Sequence, residues 1–136
     1  MSYYQGNDLQ KPSGGLRGRH RKVKRRRELG SPPTLTRIKS EEERRIERVY
    51  GGGFKVRLKG TIYVNVNLPE GTAKKVKILE VAETPENPQH AKSGIVCKGT
   101  LVKTELGLVK ITSRPGQDGV LNGILIKSKI TSKYSS

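Results

Sequence analysis

The chain has no tryptophan, one phenylalanine, one methionine and one cysteine in 136 residues. Aromatic residues make up 4% of it, so any core must be small and built from aliphatic side chains. The lone Cys97 excludes an intrachain disulfide. A secreted scaffold of this size usually carries several cysteines, so a reducing interior is expected. No apolar stretch precedes the basic run near the N-terminus, which argues against a secretory signal. No run approaches the roughly 18–20 apolar residues that cross a bilayer. Negative charge is scarce as well: 12 Asp and Glu stand against 28 Lys and Arg, a formal net charge of +16. Self-repulsion of that size opposes a compact state unless a polyanion relieves it.

What is present is unevenly distributed. Residues 1–57 hold 16 basic and 6 acidic side chains, and residues 58–136 hold 12 and 6. The densest stretch is KPSGGLRGRHRKVKRRRELG, Lys11 to Gly30, with nine basic side chains before the first acid at Glu28. It has little apolar surface to offset its ordering entropy, so an extended arm is expected. Gly18, Pro32 and Pro33 and the following TLT favour polyproline or β geometry over helix. Three readings compete: a solvated tail, a nuclear-import address, or phosphate neutralisation by Lys11, Arg17, Arg19, Arg21, Lys22, Lys24, Arg25, Arg26 and Arg27. The charge balance favours the third. The guanidinium fork suits phosphate oxygens, and Ser13, Gly14 and Gly15 permit close backbone approach. His20, among these cations, fits a stacking or phosphate role. Charge alone does not separate RNA from DNA.

Residues 41–50, EEERRIERVY, support two readings. Ser40 and Glu43 form a capping box for a helix, and Ile46, Val49 and Tyr50 have helical spacing. Alternation at Ile46, Arg48 and Tyr50 ahead of Gly51-Gly52-Gly53 fits a strand entering a glycine turn. From Phe54 the period is two. Val56, Leu58, Ile62, Val64 and Val66 alternate, with a slip near Gly60 that reads as a bulge. PEGT is a turn and KKVKILEV a returning strand, hence a hairpin. GIVCKGTLVKTELGLVKIT holds two or three short strands with a turn at Leu106–Gly107. ETPENPQH and SRPGQDG are loops, and VLNGILIKSKI is a last strand. Short strands punctuated by turns predict a small barrel or sandwich.

Other motifs have bland readings. GGGFK is not a phosphate loop, because no Gly-Lys-Ser/Thr follows and no helix opens there. Lys55 and Arg57 can still face a sugar-phosphate backbone. His20, His90 and Cys97 do not make a zinc site, which needs four ligands at short paired spacings. Cys97 reads as a small core residue in an apolar strand. In TSRPGQDG a tight turn at Pro115-Gly116 presents Arg114 and Gln117, and Asp118 directs any phosphate to Arg114 or to backbone amides. No nucleophile–base set and no paired carboxylates stand out.

KPSGG, RKVKRRRELG, PPTLT, GGGFKVRL, NPQHAKSGIVCKGTLVKTELG and TSRPGQDGVLNGILI, in that order, resemble the S-eight-e family of archaeal and eukaryotic small-subunit ribosomal proteins, in its short archaeal form. The resemblance runs from about Gln5 to Ile126. It implies a β-rich, barrel-like domain, an extended N-terminal arm in small-subunit ribosomal RNA, and no enzymatic activity. It also favours a strand over 44–50. The chain departs from the family in having Gly51-Gly52-Gly53-Phe54 for Arg-Gly-Gly-Asn, which leaves that turn a backbone role, and Ser13 for Thr, which keeps the hydroxyl.

These readings combine into one expectation. The chain is mainly β, a small antiparallel barrel-like domain over 41–128, with a long extended basic N-terminal arm over 1–40 and a flexible tail over 129–136. Its partners are small-subunit ribosomal RNA and neighbouring ribosomal proteins, in the cytoplasmic ribosome. It uses no membrane, small-molecule substrate, cofactor or metal. The RNA contacts are the arm residues named above with Arg37, Lys55, Arg57 and Arg114. An assembly factor with the same domain and a DNA-compacting protein are the rivals.

Overall fold

The computed structural model describes residues 3–4, 10–16 and 26–128. They fall into two compact units, Met1–Pro33 and Thr34–Ser136.

In the first unit, strand β1 (Tyr3–Tyr4) pairs antiparallel with β2 (Leu29–Gly30), which follows a single 3-10 turn at Arg26–Glu28. KPSGG is a tight reversal. The Gly14 amide donates to Lys11 O (2.9 Å), the Lys11 amide donates to Gly15 O (2.7 Å), and Gln10 bridges Leu16. Pro12 supplies the fixed φ that the second turn position wants, and Gly14 takes the left-handed conformation (φ 83°) that closes a three-residue hairpin loop. The central arm residues Arg17, Arg19, His20, Arg21, Lys22, Lys24 and Arg25 lie outside the described residues, as does the tail over 129–136.

The second unit runs β3 (Thr36–Ile38), β4 (Glu43–Arg48), β5 (Phe54–Thr61), β6 (Tyr63–Asn67), β7 (Ala73–Glu83), α1 (Pro88–Lys92), β8 (Ile95–Val96), β9 (Leu101–Thr104), β10 (Gly107–Ile111), α2 (Pro115–Asp118) and β11 (Asn122–Ser128). Five strands close a barrel in the order β10-β11-β6-β7-β9. The other four form a sheet in the order β4-β5-β3-β8. Strand β3 falls within the 1–40 stretch read as arm, yet it pairs with β5 and β8, because Thr36 is buried and donates its hydroxyl to Leu58 O at 2.7 Å.

The 41–50 ambiguity resolves to a strand. β4 pairs with β5 over six residues, with Ile46 opposite Val56 and Arg48 opposite Phe54. A ten-residue segment is too short to hold a helix in water on propensity alone, whereas the ladder supplies a partner for every residue. The bulge read at Gly60 is present. Glu43 pairs with Gly60 and Arg44 with Leu58, so Lys59 is the extra residue. Both segments read as loops contain one helical turn. Asn87 caps α1 by accepting from the Gln89 amide at 3.0 Å, with Pro88 as its first residue. Pro115 opens α2 in the same way, and Gly119 ends it with φ 73°.

The barrel is antiparallel at every seam but one: β11 runs parallel to β6. Closure forces this, since directions cannot alternate around a ring of five. The core is aliphatic. Val64, Val66, Val76, Ile78, Val102, Val109 and Ile111 of the barrel pack with Leu58 and Val96 of the sheet in one cluster. Thr104, also buried, donates its hydroxyl to Gly107 O at 2.9 Å.

The KPSGG geometry recurs at LPEGT, where Gly71 (φ 82°) donates to Leu68 O and the Leu68 amide donates to Thr72 O. Space around Gly71 is open, so an added Cβ meets only backbone strain. Gly71→Ala should therefore cost about 1–2 kcal/mol and lower Tm by at least about 4 °C in a thermal melt. Glu70→Ala beside it should stay within about 0.5 kcal/mol. Equal effects would show that the left-handed glycine does not set this turn.

Candidate nucleic-acid interface

The sequence motif for phosphate is the arm, and its two described ends are held by backbone pairing. Lys11, Ser13, Gly14 and Gly15 form the exposed reversal described above. Arg26 and Arg27 are exposed on the 3-10 turn that leads into β2.

In the second unit, β5 and α2 bring three of the four remaining candidates together. The Lys55 ammonium donates to Gln117 Oε1 at 2.7 Å. Arg57 donates through Nη1 to Gly116 O at 3.1 Å and through Nε to Glu47. Arg114 lies just before α2 and is exposed. Arg37 sits elsewhere on the same sheet, opposite Gly60 and Ile95, and is exposed. The four are not equivalent. Arg57, with its side chain 22% exposed, spends most of its guanidinium on holding α2 and Glu47 against β5. Lys55 keeps two N–H groups free of Gln117. Arg37 and Arg114 have no side-chain partner among the described residues.

Several backbone amides of this loop are engaged internally. Asp118 accepts from the Arg114 amide at 3.1 Å, and the Gln117 and Asp118 amides both donate to Arg114 O.

Four of the glutamates are paired to cations. Glu42 pairs with Arg44 at 2.7 Å, and Glu47 with both Arg45 and Arg57. Glu43 pairs with Lys39 (2.8 Å) and Lys59 (3.4 Å). Hydrogen bonding from Lys39 holds the Glu43 carboxyl below its ordinary value, with Lys59 adding to the effect. Glu80 pairs with Lys103. Among the described residues, Arg48, Lys74, Lys75, Lys77, Lys92, Lys98, Lys110 and Lys127 are further cations without a carboxylate partner, which motif reading passed over because they form no dense run.

Cys97 and His90 are the two described groups with nucleophile or ligand chemistry. Cys97 is half-buried just beyond β8, not inside a strand, and its amide donates to Thr100 Oγ1 at 3.0 Å. Burial, and then the Glu86 carboxylate, push its thiol above the ordinary value. His90 lies in α1 with Nδ1 buried and without a hydrogen-bond partner among the described residues. No group of three His, Cys, Asp or Glu among the described residues is placed to hold a metal, and no described helix is long and apolar enough to cross a membrane.

The family model for "Ribosomal protein S8e" matches residues 4–126. The chain belongs to the ribosomal protein S8e family. It is 62% identical over 128 residues to the small ribosomal subunit protein eS8 of Staphylothermus marinus, covering 93% of this chain and 99% of that one. It is 55% identical over 130 residues to the eS8 protein of Ignicoccus hospitalis, covering 95% and 100%. It is 54% identical over 128 residues to that of Sulfolobus acidocaldarius, covering 93% and 99%. The S8e motifs noted above therefore sit on a described framework: KPSGG is a hairpin loop, PPTLT leads into β3, and TSRPGQDG is the α2 turn that β5 grips.

The contrast between Arg57 and Arg114 is measurable. Arg57→Gln leaves Glu47 and the Gly116 carbonyl short of partners and should cost about 1–3 kcal/mol in a denaturant titration. Arg114→Gln should leave stability within about 0.5 kcal/mol. The reverse ranking would contradict these assignments. Because burial pushes the Cys97 thiol above its ordinary value, it should react with iodoacetamide at pH 8.5 more slowly in the folded chain than in urea. Equal rates would remove the proposed desolvation.

Proposed function

We propose that this protein is a structural constituent of the small ribosomal subunit, in the cytoplasmic ribosome, and that it binds ribosomal RNA by neutralising phosphates. The supporting observation is a family match over almost the whole chain joined to a +16 net charge. The basic arm, Lys11 to Arg27, enters between RNA helices and relieves the repulsion of their phosphates. The β unit supplies a second surface through Arg37, Lys55 and Arg114, with Arg57 positioning α2. Shape and 2′-OH contacts, rather than base reading in a deep narrow groove, select the site. The reading calls for no reaction step, cofactor or small-molecule substrate. Neighbouring ribosomal proteins complete the environment.

Counterion release makes such binding steep in salt. With roughly 6–10 phosphate contacts, affinity for small-subunit RNA should fall about 10³–10⁵-fold from 50 to 200 mM salt. Replacing Arg25, Arg26 and Arg27 together by Gln should weaken binding across RNA sequences and reduce the salt slope by about one for each phosphate no longer neutralised. An unchanged slope would take the arm out of the interface. Equal affinity for duplex DNA would favour an architectural DNA binder, and absence of the chain from purified mature subunits would favour an assembly factor.

A further inference from the structure

Aromatic side chains are rare in this chain, and none that the structure describes is used in the core. Tyr50 is 102% exposed, Phe54 72% and Tyr63 45%. The first two flank the Gly51–Gly53 turn. Tyr63 lies instead on the barrel wall, among groups that point to a ligand.

Strand β6 alternates strictly, with Val64 and Val66 buried and Tyr63, Asn65 and Asn67 exposed. Across the antiparallel seam, Lys77 is directly opposite Tyr63 and Lys75 opposite Asn65. The Lys75 ammonium lies 4.8 Å from the Tyr63 ring centroid. Across the parallel seam, Asn122 is opposite Asn65, and the Asn65 amide donates to Asn122 Oδ1 at 3.0 Å. No Asp or Glu occurs in β6, in β11, or in β7 before Glu80. A flat ring, side-chain amides and cations thus share one acid-free face.

We propose that this outer face of β6 and its two neighbours is a stacking site for unpaired ribosomal RNA nucleotides, separate from the phosphate-neutralising arm. The proposal rests on the reading that the chain binds ribosomal RNA. Each component has a partner on a nucleotide. Tyr63 takes the π-face of a base, Asn65 and Asn122 keep donors and acceptors for a base edge, and Lys77 meets phosphate. Outward residues on a strand recur about every 6.8 Å, so a neighbouring nucleotide lies over Asn65 when the first lies over Tyr63. An acidic peptide would need the cations but would leave the ring and the amides without a role. Lys75 does not block the site. An exposed cation–π contact is weaker than base stacking on an aromatic ring, so a base displaces the ammonium toward its own phosphate.

The test uses the full chain bound to small-subunit ribosomal RNA. Ultraviolet crosslinking and peptide mass spectrometry should find a nucleotide adduct on Tyr63. Tyr63→Leu should lower affinity on the order of 10-fold with an unchanged salt slope, because no charge is removed. Tyr63→Phe should bind normally, and Lys77→Gln should reduce the slope by about one. Melting curves of the Leu and Phe variants verify that both are folded. Adducts on arm peptides together with normal binding by Tyr63→Leu overturn the stacking site and leave the wider reading intact. No RNA affinity at all overturns both. A crosslink from this face to another protein in assembled subunits overturns the nucleotide assignment in favour of a protein interface.

Discussion

Five strands cannot alternate in direction around a closed ring, so closing this barrel requires one parallel seam. β11 and β6 provide it, and much of the second unit follows from that junction. For β11 to reach β6, the chain must leave β10, turn through α2 and return along the barrel. That excursion is what places α2 against β5, where Arg57 and Lys55 engage it. The return also demands close approach. A Cβ on Gly123 would lie 2.5 Å from Val109 Cγ1 and 2.8 Å from Lys110 O, so only glycine fits where β11 crosses β10. Gly119, which ends α2 with φ 73°, is held as tightly against Val56. Two glycines therefore permit a closure that aliphatic side chains then fill.

The charge arrangement has a similar economy. The acidic cluster EEE beside RR looks self-cancelling in sequence, and the fold makes it so. Glu42, Glu43 and Glu47 are distributed among cations on β4, β5 and the segment after β3. Exposed pairs of this kind contribute little stability. Their larger effect is to neutralise the acids of β4 and of the segment before it. Among the described residues, cations without a carboxylate partner lie both on the four-stranded sheet, as Arg37 and Arg48 do, and on the barrel, as Lys74, Lys77 and Lys110 do.

With three described aromatics at the surface, the core depends on valine, isoleucine and leucine from two sheets, supplemented by buried threonines such as Thr36 and Thr104 whose hydroxyls donate to backbone carbonyls. β-branched side chains suit that pleated, layered interior. They also leave Tyr50, Phe54 and Tyr63 exposed at the surface.

The sequence by itself determined the local features whose cause is local. Period-two alternation marked Val64 and Val66 as inward, PEGT marked a hairpin turn, and Gly60 marked a bulge. The short strands announced a barrel, and ordered motifs announced the family. Tertiary structure decided what depends on partners distant in the chain. It drew residues 36–38 into a sheet through Thr36 and Leu58, and made 43–48 a strand because β5 supplied a ladder that a short helix could not match. It committed Arg57 to Gly116 and Glu47, and left Arg114 free beside it, a difference two arginines cannot express in sequence. It gathered Tyr63, Lys75, Lys77 and Asn122 on one wall, since only strand register brings residues that far apart within reach. Spacing along a chain reports its own turns and faces; pairing between segments is set by which surfaces can be buried together.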